Sequence, residues 1–237
     1  KIQYLSSDPD PVQEGQVWVL SVSGSNSVMK GYAAQGTGSW ATGGTMNTAR
    51  ANNSQGVGAT NSAVQAASGF APGAPGVTVN VEDYNGSSWT EIANVNTARF
   101  SAGMAGTNTA SLLYAGAARP LVAVTELWNG SSWTEVGDMN TGRSQFGAGG
   151  TTTDGIVAAG RLPAKTANTE HWDGSAWTEV ANLATARSDT NAGGGISTSF
   201  LIAGGATATA FVASTEEFNT AGATDTIVND GQVFYRS

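Results

Sequence analysis

A fifteen-residue stretch, NGSSWTEVGDMNTGR at residues 129–143, recurs along the chain at nearly even spacing. Close copies stand at 85–99 (NGSSWTEIANVNTAR) and 173–187 (DGSAWTEVANLATAR), with a worn copy at 38–50 (GSWATGGTMNTAR). In all four, Trp and Arg lie ten residues apart: Trp40/Arg50, Trp89/Arg99, Trp133/Arg143 and Trp177/Arg187. The steps between copies are 49, 44 and 44 residues. A period of that size marks a propeller or a solenoid, in which each unit buries its apolar face against its neighbours.

The repeat decides how the length is to be read. At 237 residues and about 47 per unit, the chain holds five units and reads as one closed domain over 1–237. The units run approximately 1–50, 51–99, 100–143, 144–187 and 188–237. Only 12% of residues are charged while Gly numbers 32, a balance of strand and turn chemistry rather than helix chemistry. The expected fold is all-β: a five-bladed β-propeller of four-stranded antiparallel blades, with six blades as the alternative.

Each unit divides into the same four strands. After each Arg comes a Gly/Ala-rich run (NNSQGVGAT, FSAGMAGT, SQFGAGGT, SDTNAGGG), then an apolar run (SAVQAAS, SLLYAGA, GIVAAGR, SFLIAGG). A variable loop leads to a third strand at 81–84, 125–128, 169–172 and 215–218. Asn85-Gly86, Asn129-Gly130 and Asp173-Gly174 then join it to the Trp strand, since such pairs tolerate φ > 0 and signal a hairpin. The Gly/Ala run is expected to line the crowded axis, where only small side chains fit. The Trp is expected to face the neighbouring sheet. In the first unit, 16–22 and 27–32 read as a hairpin and 39–43 as the worn Trp strand.

Composition excludes several functions. With a net charge of −8 and ten basic residues scattered singly, nucleic acid is not an expected partner. The absence of cysteine removes disulfides, thiolate catalysis and zinc–sulfur sites. No run approaches the roughly 18 apolar residues of a membrane helix, and no signal peptide is legible at Lys1.

The spacing of Arg, a small-Gly doublet, Glu-x-aromatic, a turn and Trp resembles the kelch repeat, seen in Arg143, Ala159-Gly160, Glu170-His171-Trp172 and Trp177. The resemblance covers about residues 40–219 and implies a β-propeller without implying an activity. Two departures stand out: Ala66-Ala67 replace the glycine doublet of the second unit, and the fifth lacks its Trp, with 225–229 in its place. A second resemblance lies at the ends. Glu14-Gly15-Gln16-Val17-Trp18 followed by Met29-Lys30-Gly31-Tyr32, and the partial echo at 231–235, is similar to a segment of bacteriophage virion proteins, including those of marine cyanophages. It implies a virion location.

The expected protein is non-enzymatic, without cofactor or transition metal: a fibre, spike or decoration protein using one propeller face to bind another virion protein or a host-surface glycan. A lectin-like or carbohydrate-active enzyme domain is the alternative. Galactose oxidase shares a kelch-like propeller, but its copper needs His, Tyr and a Cys cross-link, and this chain has one His and no Cys. The recurring Glu82, Glu126, Glu170 and Glu216 are expected to pair with the recurring Arg across blades, because a catalytic site is built once and a structural contact in every blade. His171 shares its slot with Leu127 and Glu217 and is expected to be half-exposed; Asp173 reads as a turn residue. Asp8 or Asp10 would suit calcium if any ion binds. Binding candidates come from the variable loops, at positions that do not repeat: Phe70, Arg119, Arg161, Lys165 and Phe211. Ring closure is expected from 225–229 as the outer strand of the fifth unit, with 232–236, or alternatively 2–5, joining the first.

Overall fold

The computed structural model describes residues 3–5, 17–21, 27–31, 40–54, 57–73, 76–118, 120–190, 192–220, 227–229 and 232–234. Its contacts divide the chain into two compact units, Lys1–Thr42 and Gly43–Ser237. Every described element is a β-strand.

In the first unit, β1 (Gln3–Leu5), β2 (Val17–Ser21) and β3 (Ser27–Gly31) form one sheet in the order β1-β2-β3. β2 and β3 make the expected hairpin. β1 joins β2 in parallel, Gln3 opposite Trp18, so this sheet departs from the antiparallel pattern. The intervening residues 6–16 approach the dozen that a parallel connection needs. The expected strand at 39–43 is corrected: residues 40–43 form none, and the Trp40 side chain is fully exposed. This copy lacks the Asx-Gly turn that starts the other Trp strands.

The second unit carries the repeats. Its first sheet is β4 (Val57–Thr60), β5 (Ala63–Ala67), β6 (Val81–Tyr84) and β7 (Trp89–Ile92). The next is β8 (Gly103–Thr107), β9 (Ala110–Tyr114), β10 (Thr125–Trp128) and β11 (Trp133–Glu135). The third is β12 (Gly147–Gly150), β13 (Gly155–Ala158), β14 (Thr169–Trp172) and β15 (Trp177–Val180). All three are antiparallel meanders in chain order. A fourth has, among the described residues, only β16 (Ala192–Ile196), β17 (Ser199–Ala203) and β18 (Thr215–Asn219).

The expected outer strand of that last sheet is also corrected. β19 (Ile227–Asn229) pairs with β20 (Gln232–Phe234) in a separate two-stranded sheet. A two-residue link makes that local hairpin cheap to close, and it wins over the longer-range pairing.

The four sheets of this unit succeed one another around their inner strands, β4 beside β8, β8 beside β12 and β12 beside β16, which is a β-propeller-like arrangement. The inner strands approach too closely for ordinary side chains. A Cβ at Gly149 would lie 2.6 Å from the Gly195 carbonyl oxygen, and one at Gly193 would lie 2.9 Å from the Gly147 Cα.

Between successive sheets lie the apolar cores. Trp133 packs with Val57, Ala67 and Val81 of the preceding sheet, and its Nε1–H donates to the Ala93 carbonyl at 3.1 Å. Trp177 packs with Leu112 and Tyr114, and its Nε1–H donates to Thr125 Oγ1 at 2.9 Å. An indole buries on the order of 200 Å², worth roughly 5 kcal/mol before ordering costs. Each Trp also closes its own hairpin as a cross-strand aromatic pair: Tyr84/Trp89, Trp128/Trp133 and Trp172/Trp177 sit 5.1, 5.5 and 5.6 Å apart between ring centroids.

Candidate functional site

The recurring charges belong to the frame. Each Arg pairs with the Glu of the following sheet: Arg50 with Glu82, Arg99 with Glu126, Arg143 with Glu170 and Arg187 with Glu216. The first three pairs have buried side chains on both sides, while Glu216 is a quarter exposed. Asn47 donates its backbone N–H and its carboxamide to Glu82 Oε2 at 2.7 and 2.9 Å, and Thr48 N–H donates to Oε1 at 3.2 Å. The same three bonds surround Glu126 at 2.6, 2.8 and 3.2 Å. That is the physical content of the repeated Asn-Thr-x-Arg. In the last copy Ala184 replaces the Asn, and only its N–H reaches Glu216, at 2.7 Å.

Burial pushes the Glu82 carboxyl up, but the Asn47 and Thr48 donors with the Arg50 guanidinium outweigh it and hold the pKa below its ordinary value. Burial lowers Arg99 and Arg143 against the opposing pull of their glutamates. The Glu82 and Glu126 carboxylates, each accepting four hydrogen bonds, have no lone pair left for acid or base work.

The other guanidinium arm ties down backbone. Arg50, Arg99, Arg143 and Arg187 donate from Nη1 to the carbonyls of Asn80, Val124, Asn168 and Ser214 at 2.6, 2.7, 2.7 and 2.9 Å. This places the small-Gly doublet of the second unit at Ser68-Gly69, correcting Ala66-Ala67, which lie in β5. Ser68 and Gly69 have φ of 60° and 118°, matching 53° and 103° at Ala115-Gly116 and 64° and 108° at Ala159-Gly160.

Against this constant frame the loop residues vary. The residue after each Arg pairs with the residue after each doublet, which pairs in turn with one further on. The four sets are Ala51/Phe70/Val77, Phe100/Ala117/Leu121, Ser144/Arg161/Lys165 and Ser188/Ala206/Phe211. Phe70 and Arg161 therefore share one repeated slot, and Lys165 and Phe211 share the next. The sequence takes these positions as non-repeating; in backbone terms they repeat, and only their side chains differ. Phe211 is 91% exposed, Phe70 is 40% exposed with its ring edge-on to Phe100, and Arg161 is exposed. Lys165 Nζ donates to the Thr207 carbonyl at 2.6 Å. Arg119 lies outside the described residues.

A feature missed by sequence reasoning lies at the heads of the inner strands. Two residues after each frame arginine stand Asn52, Ser101, Gln145 and Asp189, all non-glycine and all left-handed, with φ of 48°, 52°, 58° and 58°. Such backbone costs about 1 kcal/mol per residue. Together with Asn53 they form the polar wall of a cavity of about 360 Å³, whose apolar wall is Ala102, Gly103, Phe146 and Ala148. Gln145 Nε2–H donates to Asp189 Oδ1 at 2.6 Å. The only available signal was a polar residue two places after every Arg, hidden in runs that read as axial strand.

His171 is half-exposed, as expected, with Nε2 3.0 Å from Asp154 Oδ1. Asp173 is a turn residue: its Oδ1 accepts the Ser175 and Ala176 N–H groups at 2.8 and 2.9 Å, which holds its pKa down at about 2. Among the described residues no three His, Cys, Asp or Glu converge as a metal site, and no helix is long and apolar enough to cross a membrane. Asp8 and Asp10 lie outside the described residues. Compared with known proteins, the chain matches no family model, and no curated protein matches it.

Proposed function

We propose that the protein is a non-enzymatic recognition module on a five-bladed, kelch-like propeller. One face meets another virion protein or a host-surface glycan. The observation that carries this is the contrast between frame and loop slots. The Arg–Glu clamp repeats in four sheets, whereas the slots above it change from Phe70 to Arg161 and from Lys165 to Phe211. Side chains that vary on a rigid scaffold are where binding specificity is written. The virion assignment rests on the resemblance of the segments at 14–18, 29–32 and 231–235. Binding is favoured over the alternative of glycan hydrolysis because, among the described residues, the cavity wall carries a single carboxylate, Asp189, whereas a glycosidase ordinarily needs two.

The test is a glycan array and a virion-protein pull-down with the parent and an Arg161→Ala/Lys165→Ala/Phe211→Ala variant, alongside glycan-cleavage assays. Binding that the variant loses, without cleavage, is the expected outcome. Cleavage abolished by Asp189→Asn, or binding indifferent to the loop variant, would contradict the proposal. Mass spectrometry of purified virions checks the location.

A further inference from the structure

We propose that the cavity at the heads of the inner strands binds a neutral, polyhydroxylated ligand, the terminal sugar ring of a glycan. This rests on reading the protein as a recognition module and adds the cavity to the loop slots as the seat of the glycan's terminal ring. Its polar wall comes from Asn52, Ser101, Gln145 and Asp189, which share one unusual backbone state, with φ between 48° and 58°.

The frame explains the conformation. Ser101 N–H donates to the Asn52 carbonyl at 2.8 Å, and Asp189 N–H donates to the Gln145 carbonyl at 2.9 Å, linking successive repeats. It does not explain the side chains. Glycine adopts this backbone without penalty, would give the same bonds, and is used 32 times in the chain. Each of the four positions nevertheless keeps a polar side chain, and all four converge on one cavity. Strain retained at convergent positions is the pattern of a binding site.

The wall chemistry selects the ligand. Among the described residues it holds three carboxamides, counting Asn53, with one hydroxyl, one carboxylate and no cation. Phosphate, sulfate and acidic sugars would meet Asp189 without a compensating charge. Vicinal hydroxyls each give and accept a hydrogen bond, and carboxamides beside a carboxylate offer both. Gln145 Nε2–H and Ser188 Oγ–H each donate to Asp189, at 2.6 and 2.8 Å, fixing its carboxylate while leaving acceptor capacity. Phe146, with Ala102 and Ala148, supplies an apolar wall for the C–H face of a sugar ring. A volume of about 360 Å³ lies at the lower end of ligand pockets.

Saturation-transfer NMR on the full chain with galactose, glucose, mannose and N-acetylneuraminic acid tests this. At least one neutral sugar is expected to receive saturation and the acid none. Gln145→Gly/Asp189→Gly should weaken the signal at least tenfold while melting near the parent temperature, because relief of two left-handed residues offsets the loss of the Asp189 hydrogen bonds. Asp189→Asn, which preserves size, should weaken it less. Glu135→Ala, an exposed change on the outer strand β11, should leave it unchanged. The proposal fails if no neutral sugar binds, if the acid binds equally, if the glycine variant binds like the parent, or if that variant melts several degrees lower. Loop-dependent binding on an array with no monosaccharide signal would sink the cavity proposal and leave the recognition reading standing. A cavity-dependent sugar signal with no array or pull-down binding would do the reverse.

Discussion

The Tyr114 hydroxyl is buried with no hydrogen-bond partner among the described residues, and burial pushes its ionisation far above the ordinary phenol range. Corresponding strand positions hold Ala67, Ala158 and Ala203. The ring is there to cover Gly103, whose missing Cβ would lie 2.2 Å from it, and to pack against Phe146 and Trp177. Tyr114→Phe keeps the ring and removes an unpaired polar group, so urea denaturation should show a gain of about 1 kcal/mol; a loss would mean the hydroxyl has a partner. For Glu82 the folded pKa lies below its ordinary value of 4.5. Its contribution is complete above that value and is lost as pH falls through the lower folded pKa. Glu82→Gln should therefore cost stability at pH 7 and progressively less toward pH 3, read from midpoints at both; an equal cost at both would contradict the assignment. The Arg–Glu pairing was legible because buried charges need partners and both recurred in step. The left-handed ring was not, since only glycine announces a positive φ, and these positions hold Asn, Ser, Gln and Asp.

At the scale of strands, the inner-strand glycines separate into those that need to be glycine and those that do not. Gly149→Ala would press a Cβ 2.6 Å from the Gly195 oxygen, whereas a Cβ at Gly194 meets nothing within 4 Å, and Gly194 has no left-handed φ. Thermal melts should show Gly149→Ala losing roughly 1–3 kcal/mol and Gly194→Ala close to parent; the opposite order would remove the close-packed axis. The third strand of each unit, at 81–84, 125–128 and 169–172, was legible to the residue because turn chemistry brackets it. That turn is a four-residue loop, Tyr84 opposite Trp89, with the Asn85 side chain capping Ser87 and Ser88, rather than a two-residue link. The ends were less legible. Trp40 has the spacing of a Trp strand without its turn, β1 pairs in parallel, and β19 takes the nearest partner instead of the sheet that lacked one.

For the whole molecule, four of its ten basic residues are spent inside the frame although the net charge is −8. Under the proposed recognition role, stability and binding rest on different residues, and the second can change without touching the first. Breaking one clamp should be severe: Arg143→Met leaves Glu170 buried and uncompensated, a loss of roughly 3–5 kcal/mol. The loop residues contribute exposed side chains and one surface hydrogen bond, and surface changes of that kind stay within about 0.5 kcal/mol each. The most direct test is a paired denaturant titration of Arg143→Met and Arg161→Ala/Lys165→Ala/Phe211→Ala against the parent. The account predicts a collapse of the midpoint for the clamp variant and a midpoint near that of the parent for the loop variant. A loop variant that loses as much stability as the clamp variant would contradict it.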